Sequence, residues 1–160
     1  MFLSTAIMVY SALDIAKYIL AVASENGDVM TNLKLQKLLF YAQVWHLVKK
    51  QAPLFKDDAE AGQFGPIIPE VYEFYKKYGQ LPIADQSSQA DVDVLDAEAQ
   101  RYMDKFLDLF MDHSATSLVN MIYAETPWRD AFEKNPDGHG VIPQNILQQY
   151  YSQNRVAPWD

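Results

Sequence analysis

The chain has 160 residues, 49% of them apolar and 13% aromatic, with thirteen basic and twenty-one acidic side chains, a net charge of −8 and no cysteine. A domain of this length buries roughly 70% of its unfolded surface, so it can hold a core without disulfide or metal staples, and the composition excludes intrinsic disorder. The missing cysteine excludes disulfides, thiolate metal sites and a cysteine nucleophile, and the acidic balance disfavours direct nucleic-acid binding, which draws on phosphate neutralisation.

The apolar opening from Met1 to Met8 lacks a basic leader, and Asp14 and Lys17 interrupt the run short of the ~20 residues a membrane span needs. Neither export nor membrane insertion is expected, which places the chain in the reducing cytoplasm as one domain over 1–160, with 1–8 as an N-terminal extension.

Ser11 suits an N-cap, and Ala12, Ile15, Ala16, Ile19, Leu20 and Ala23 follow the rhythm of one helical face, ending near Gly27. Thr31 caps a second helix to about Lys50. Its apolar residues Leu33, Leu35, Leu38, Leu39, Phe40, Ala42, Val44, Trp45 and Leu47 point in nearly every direction, the mark of a buried helix. Its polar exceptions Gln36, Gln43 and Lys50 fall on one line, with Lys34 and Lys37 displaced from it.

Pro53, Gly62, Gly65, Pro66 and Pro69 break the helical pattern, so a hairpin or ordered loop is expected between 52 and 68. Pro69 opens a third helix with Val71, Phe74, Tyr75 and Tyr78 inward and Gly79 as its stop. A flexible connection is expected over 81–92. A helix from Asp96 to Asp112 then buries Ala99, Tyr102, Met103, Phe106 and Phe110. A shorter one carries Leu118, Val119 and Ile122, and Thr126-Pro127 caps and opens the next. Asn135-Pro136-Asp137-Gly138 is a turn, and the last helix follows Pro143 with Ile146, Leu147, Tyr150 and Tyr151 available to pack. The predicted fold is mainly α: a compact bundle of about six or seven helices around the central one, with the irregular insert at 52–68.

Charge is uneven along the chain. Eight acidic residues face only Arg101 and Lys105 between Asp85 and Asp112, whereas 32–50 holds four lysines and no acid. Such asymmetry either steers a partner or is plain solvated surface.

No zincin, nucleotide-binding glycine pattern or nucleophile elbow is present. His46, His113 and His139 make no metal-ligand spacing, and His46 on an apolar helix reads as a hydrogen-bonded core residue. No cofactor or metal is expected. Asp57, Asp58 and Glu60 lie together in the insert without the glycine-centred spacing of a calcium loop. Glu125, Asp137 and His139 form a hydrolase constellation only if the C-terminal turn folds back. Phe64-Gly65-Pro66-Ile67-Ile68-Pro69 is a rigid bend that serves either as a buried corner or as a presentation of Phe64 to a partner. Trp45 and Trp128 pose the same choice between core anchor and interface hot spot.

Two long runs carry a resemblance: Ala12-Leu13-Asp14-Ile15-Ala16-Lys17-Tyr18-Ile19-Leu20, and Thr31-Asn32-Leu33-Lys34-Leu35-Gln36-Lys37-Leu38-Leu39-Phe40-Tyr41-Ala42-Gln43-Val44-Trp45-His46-Leu47. With Pro53-Leu54-Phe55, Glu60-Ala61, the bend from Phe64 through Tyr72, and Glu125-Thr126-Pro127-Trp128, the chain resembles the Panacea, or SocA-like antitoxin, domain. It departs at Gly62, where many members place tryptophan, and at Tyr123, where a histidine is expected.

The resemblance implies a mainly helical protein of a toxin–antitoxin pair in bacteria or their phages, a non-enzymatic binder that neutralises a co-encoded toxin. Delivery of the toxin to a protease is a close variant. Lys34, Lys37, Gln43, Phe64, Gly65, Pro66 and Trp128 are expected to border the toxin-binding surface. The competing readings are a small hydrolase using Asp57, Glu60 or Glu125, and a regulator that reaches DNA only with a partner.

Overall fold

The computed structural model describes residues 9–153, so the proposed extension over 1–8 lies outside the described residues. Among these residues are eight α-helices and a small three-stranded sheet.

Helix α1 (Ala12–Glu25) starts at Ser11, whose hydroxyl accepts from Asp14 N while the Asp14 carboxylate accepts from Ser11 N, a reciprocal cap. Its apolar stripe is buried. Helix α2 (Asn32–Lys50) begins at Thr31, whose side chain accepts from Lys34 N, and every residue from Leu35 to Leu47 is buried. It is the expected central helix. Rings from other elements close around it: Tyr41 lies 5.5 Å from Phe110, and Tyr151 meets Phe40, Tyr41 and Trp45 edge-on. Such offset and edge contacts are the favourable aromatic geometries.

The insert contains the hairpin β1 (Ala59–Gly62) and β2 (Gly65–Ile67), with Gly62 opposite Gly65 across the two-residue loop Gln63-Phe64. A short strand near the C-terminus, β3 (Val141–Ile142), pairs antiparallel with the other edge of β1, giving the order β2-β1-β3.

Helix α3 (Pro69–Tyr75) tightens into a 3₁₀ turn over Lys76–Tyr78 before Gly79. It buries Val71 and Tyr75, but Phe74, expected inward, is 45% exposed. Two turns carry only one narrow inward stripe, and Phe74 falls off it, edge-on to Tyr75 with the Lys17 ammonium over its ring. Within the expected connection stands the short helix α4 (Gln89–Asp93), opened by a Ser88–Asp91 capping box.

Helix α5 (Ala97–Phe110) is capped by Asp96 and buries the predicted face. Helix α6 (Ala115–Tyr123) buries Leu118 and Ile122. Helix α7 (Thr126–Lys134) has Glu125, not Thr126, as its N-cap residue, and Thr126 and Pro127 form its first turn. Helix α8 (Gln144–Gln153) packs against α2 through Leu147 and Tyr151, whereas Ile146 is 40% exposed. No described helix is long and apolar enough to cross a membrane.

Candidate functional site

The polar exceptions on α2 reach into the backbone of the insert. Gln43 Oε1 accepts from Leu54 N at 2.8 Å and Phe55 N at 3.2 Å, and its Nε2 donates to Phe55 O at 2.8 Å. Gln36 Oε1 accepts from Ile68 N at 2.7 Å, and its Nε2 donates to Asn32 Oδ1. Between them Lys37 Nζ donates to Pro66 O at 2.9 Å. An irregular segment pressed against a core carries backbone groups that no ladder satisfies, and leaving them unpaired costs about 1–3 kcal/mol each. Buried side chains of α2 supply the partners.

Lys37 is fully buried and Gln43 is 4% exposed, so both turn inward beneath the insert rather than outward to solvent. Lys37 has no carboxylate among the described residues to offset its burial, which pulls its ammonium down to about 7. Lys34 is half-buried, and its Nζ donates to Met111 O at 2.5 Å. There it closes the C-terminus of α5, where the helix dipole favours a cation.

The hairpin tip is built differently. Gly65 takes φ +101°, and a Cβ there would come within 2.9 Å of Lys37 Cε, so only glycine fits both the angle and the space. Gly65 and Pro66 are buried, while Phe64 beside them is 68% exposed. Trp128 Nε1 donates to Gly62 O at 2.8 Å, and the Tyr123 hydroxyl donates to Gln63 O at 3.3 Å. The Tyr123 ring lies 4.5 Å from that of Trp128, which stacks on Phe132 at 5.1 Å. Trp128 is half-buried, part brace and part surface.

Tyr123 and Phe132 were not among the residues expected here. Trp128 and Phe132 stand four apart on α7, a spacing that could have paired them. Tyr123, at the position where the resemblance leads one to expect histidine, braces the tip. At Gly62, the other departure, a Cβ would lie 2.9 Å from Gly65 O.

The acids and histidines have local partners, and one histidine meets two acids. His46 is buried and donates from Nδ1 to Ala52 O at 2.6 Å, the expected core role, and burial lowers its pKa. Glu125 Oε1 accepts from the hydroxyls of Tyr41 at 2.5 Å and Tyr151 at 2.8 Å, and burial raises its carboxyl pKa. The C-terminal turn does fold back onto β1, where Ala61 N donates to Gly140 O. It places His139 Nδ1 3.4 Å from Glu60, and His139 N donates to Asp137. Glu125, Asp137 and His139 therefore do not assemble as one constellation. Asp57 accepts from Ala12 N at 2.8 Å and raises the pKa of the neighbouring Glu70 carboxyl, while Asp58 is exposed.

A model of the family described as Antitoxin SocA-like, Panacea domain, matches residues 35–129, more than half of the chain. The chain belongs to this family. It is 35% identical over 78 residues to Antitoxin SocA of Caulobacter vibrioides (strain NA1000 / CB15N), a stretch covering 49% of this chain and 42% of that relative. The match thus spans less than half of the relative's length. No solved structure matches the chain significantly. The part matched to the Panacea family runs from within α2 to just past Trp128, so it holds the Gln36–Lys37–Gln43 seam, the hairpin and the Tyr123–Trp128 pair.

Proposed function

We propose that this Panacea domain is an antitoxin that acts in the cytoplasm, neutralising a co-encoded toxin by direct protein contact centred on the hairpin tip. The observation that carries the reading is Phe64: 68% exposed on a turn whose backbone is held by Lys37 from within and by Trp128 and Tyr123 from the side. An aromatic ring on a pre-ordered backbone loses little freedom on binding, and aromatic anchors dominate interface energetics. In this reading Phe64 and the outer part of Trp128 touch the toxin, Gly65 and Pro66 shape the turn, and Lys34, Lys37 and Gln43 act from behind. Family membership supports a binder over an enzyme.

Co-expression with the toxin gene tests it. Phe64→Glu is expected to abolish protection and co-purification while leaving the thermal unfolding midpoint within a degree or so of wild type, since surface changes rarely exceed about 0.5 kcal/mol. If Phe64→Glu protects and co-purifies like wild type, the contact lies elsewhere. Protease-dependent loss of the toxin, in place of a stable complex, would mark delivery to a protease.

A further inference from the structure

No charged side chain occurs between His139 and Arg155, the longest such interval in a chain of which 21% of the residues are charged. Burial would explain this in an interior helix, but α8 lies at the surface. Leu147 and Tyr151 turn toward α2, and the opposite side is open to water. There Asn145, Gln149 and Gln153, all exposed, stand at i, i+4 and i+8 and so form one line down the helix. Ile146, 40% exposed, and the exposed Ser152 flank that line.

The contrast with α5 is plain, since that helix exposes Glu98, Arg101, Asp104, Lys105 and Asp108. Helix α8 has no acid in its first turn and no base in its last, the charges that complement a helix dipole. Helix stability does not call for the amides, because Glu and Lys form helix as well as Gln and better than Asn.

We infer that the outer face of α8 docks a second copy of this chain, antiparallel about a twofold axis through Gln149. A twofold contact sets each residue near the axis against its own copy, so a carboxylate or an ammonium there meets a like charge. An amide carries both donor and acceptor and can pair with itself. With the axis at Gln149, Asn145 of each helix falls opposite Gln153 of the other. A foreign partner imposes no such ban on charge, since opposite charges across an interface steer and select it. The total of −8 opposes contact between two copies, and least so through a face that brings no charge of its own, because charges beyond about 8 Å are largely screened. A ten-residue helix about 15 Å long and 10 Å wide covers only part of the ~800 Å² per partner that a standard interface buries, so the pair is a weak one. A joined pair carries two hairpin tips, which raises avidity for any target that presents two sites.

The face shares no residue with the hairpin tip, so the inference stands or falls apart from the toxin reading. Sedimentation equilibrium of the full chain is expected to show a mass that rises with concentration from 18.3 kDa toward twice that value. Gln149→Glu and Gln149→Lys are each expected to weaken the association at least about tenfold, and an equimolar mixture of the two to restore it, because the axis then joins opposite charges. Both changes fall on an exposed helix position, and circular dichroism verifies that each variant is folded. Phe64→Ala is expected to associate like wild type. The inference is overturned if the wild type stays at 18.3 kDa up to millimolar concentration, if both single variants associate like wild type, or if mixing them restores nothing. It is overturned as well if Gln149→Glu leaves the mass unchanged but loses toxin co-purification, which would give this face to the toxin.

Discussion

The insert between α2 and α3 has a base and a tip that meet the rest of the molecule in opposite ways. At the base, around Leu54, Phe55 and Ile68, side chains from the central helix turn inward and satisfy main-chain groups in the interior. At the tip, aromatic side chains from α6 and α7 hold the turn from the side and leave one ring facing water. The difference teaches that polar residue type marks where this fold needs hydrogen bonds, whereas exposed apolar surface marks where it has contact to offer.

The most severe way to break the base is Lys37→Glu. It puts an unpaired carboxylate in a fully buried site facing Pro66 O, and loss of soluble folded protein is expected on expression. Lys37→Met keeps the volume and is expected to fold, and it exposes a pH effect. The folded ammonium titrates near 7 and an unfolded lysine near about 10.4. Between those values the unfolded chain binds more protons, so wild-type stability is expected to rise from pH 7 to 10, with the full burial penalty present below pH 7. Urea midpoints across that range are expected to flatten in Lys37→Met; an unchanged slope would show that Lys37 does not titrate in the fold.

Gln43→Ala removes three hydrogen bonds and strands the N–H groups of Leu54 and Phe55, for an expected loss of roughly 2–4 kcal/mol in chemical denaturation. Gly65→Ala joins base to tip, because it forces a side chain into a left-handed angle and against Lys37; roughly 1–3 kcal/mol is expected. At the tip itself, Trp128→Phe retains ring stacking but loses the donor to Gly62 O, for about 1 kcal/mol. Phe64→Ala closes the series at under about 0.5 kcal/mol in stability, with its effect confined to binding. A Phe64→Ala variant as unstable as Gln43→Ala would erase the contrast between the two ends.

Much of this was legible in the residues. The starts of α1, α2 and α5 follow from Ser11, Thr31 and Asp96, whose side chains each accept from an N–H three residues on. The all-round apolar pattern of 32–50 correctly places α2 at the centre, and the glycines and prolines of 52–68 correctly locate the hairpin. Strand β3 was not legible, since two residues carry no period and Val141–Ile142 takes its form from β1. Phe74 was misplaced because a short helix gives too few turns to orient its face. The burial of Lys37 and Gln43 was not legible, because a polar side chain on an apolar helix looks like surface until its partner, 29 and 12 residues away, is known.

The chain's own residues determined the helix starts, the central helix, the site of the insert and the family, because each rests on chemistry within a few neighbours or on a run of consecutive residues. Only the tertiary structure decided which polar groups turn inward, which aromatic rings brace Gly62 and Gln63, and that Ile146 stays outside while Leu147 and Tyr151 pack. Those outcomes depend on contacts such as Trp128 with Gly62, 66 positions apart, and such pairings are settled by packing the whole core rather than by any local pattern.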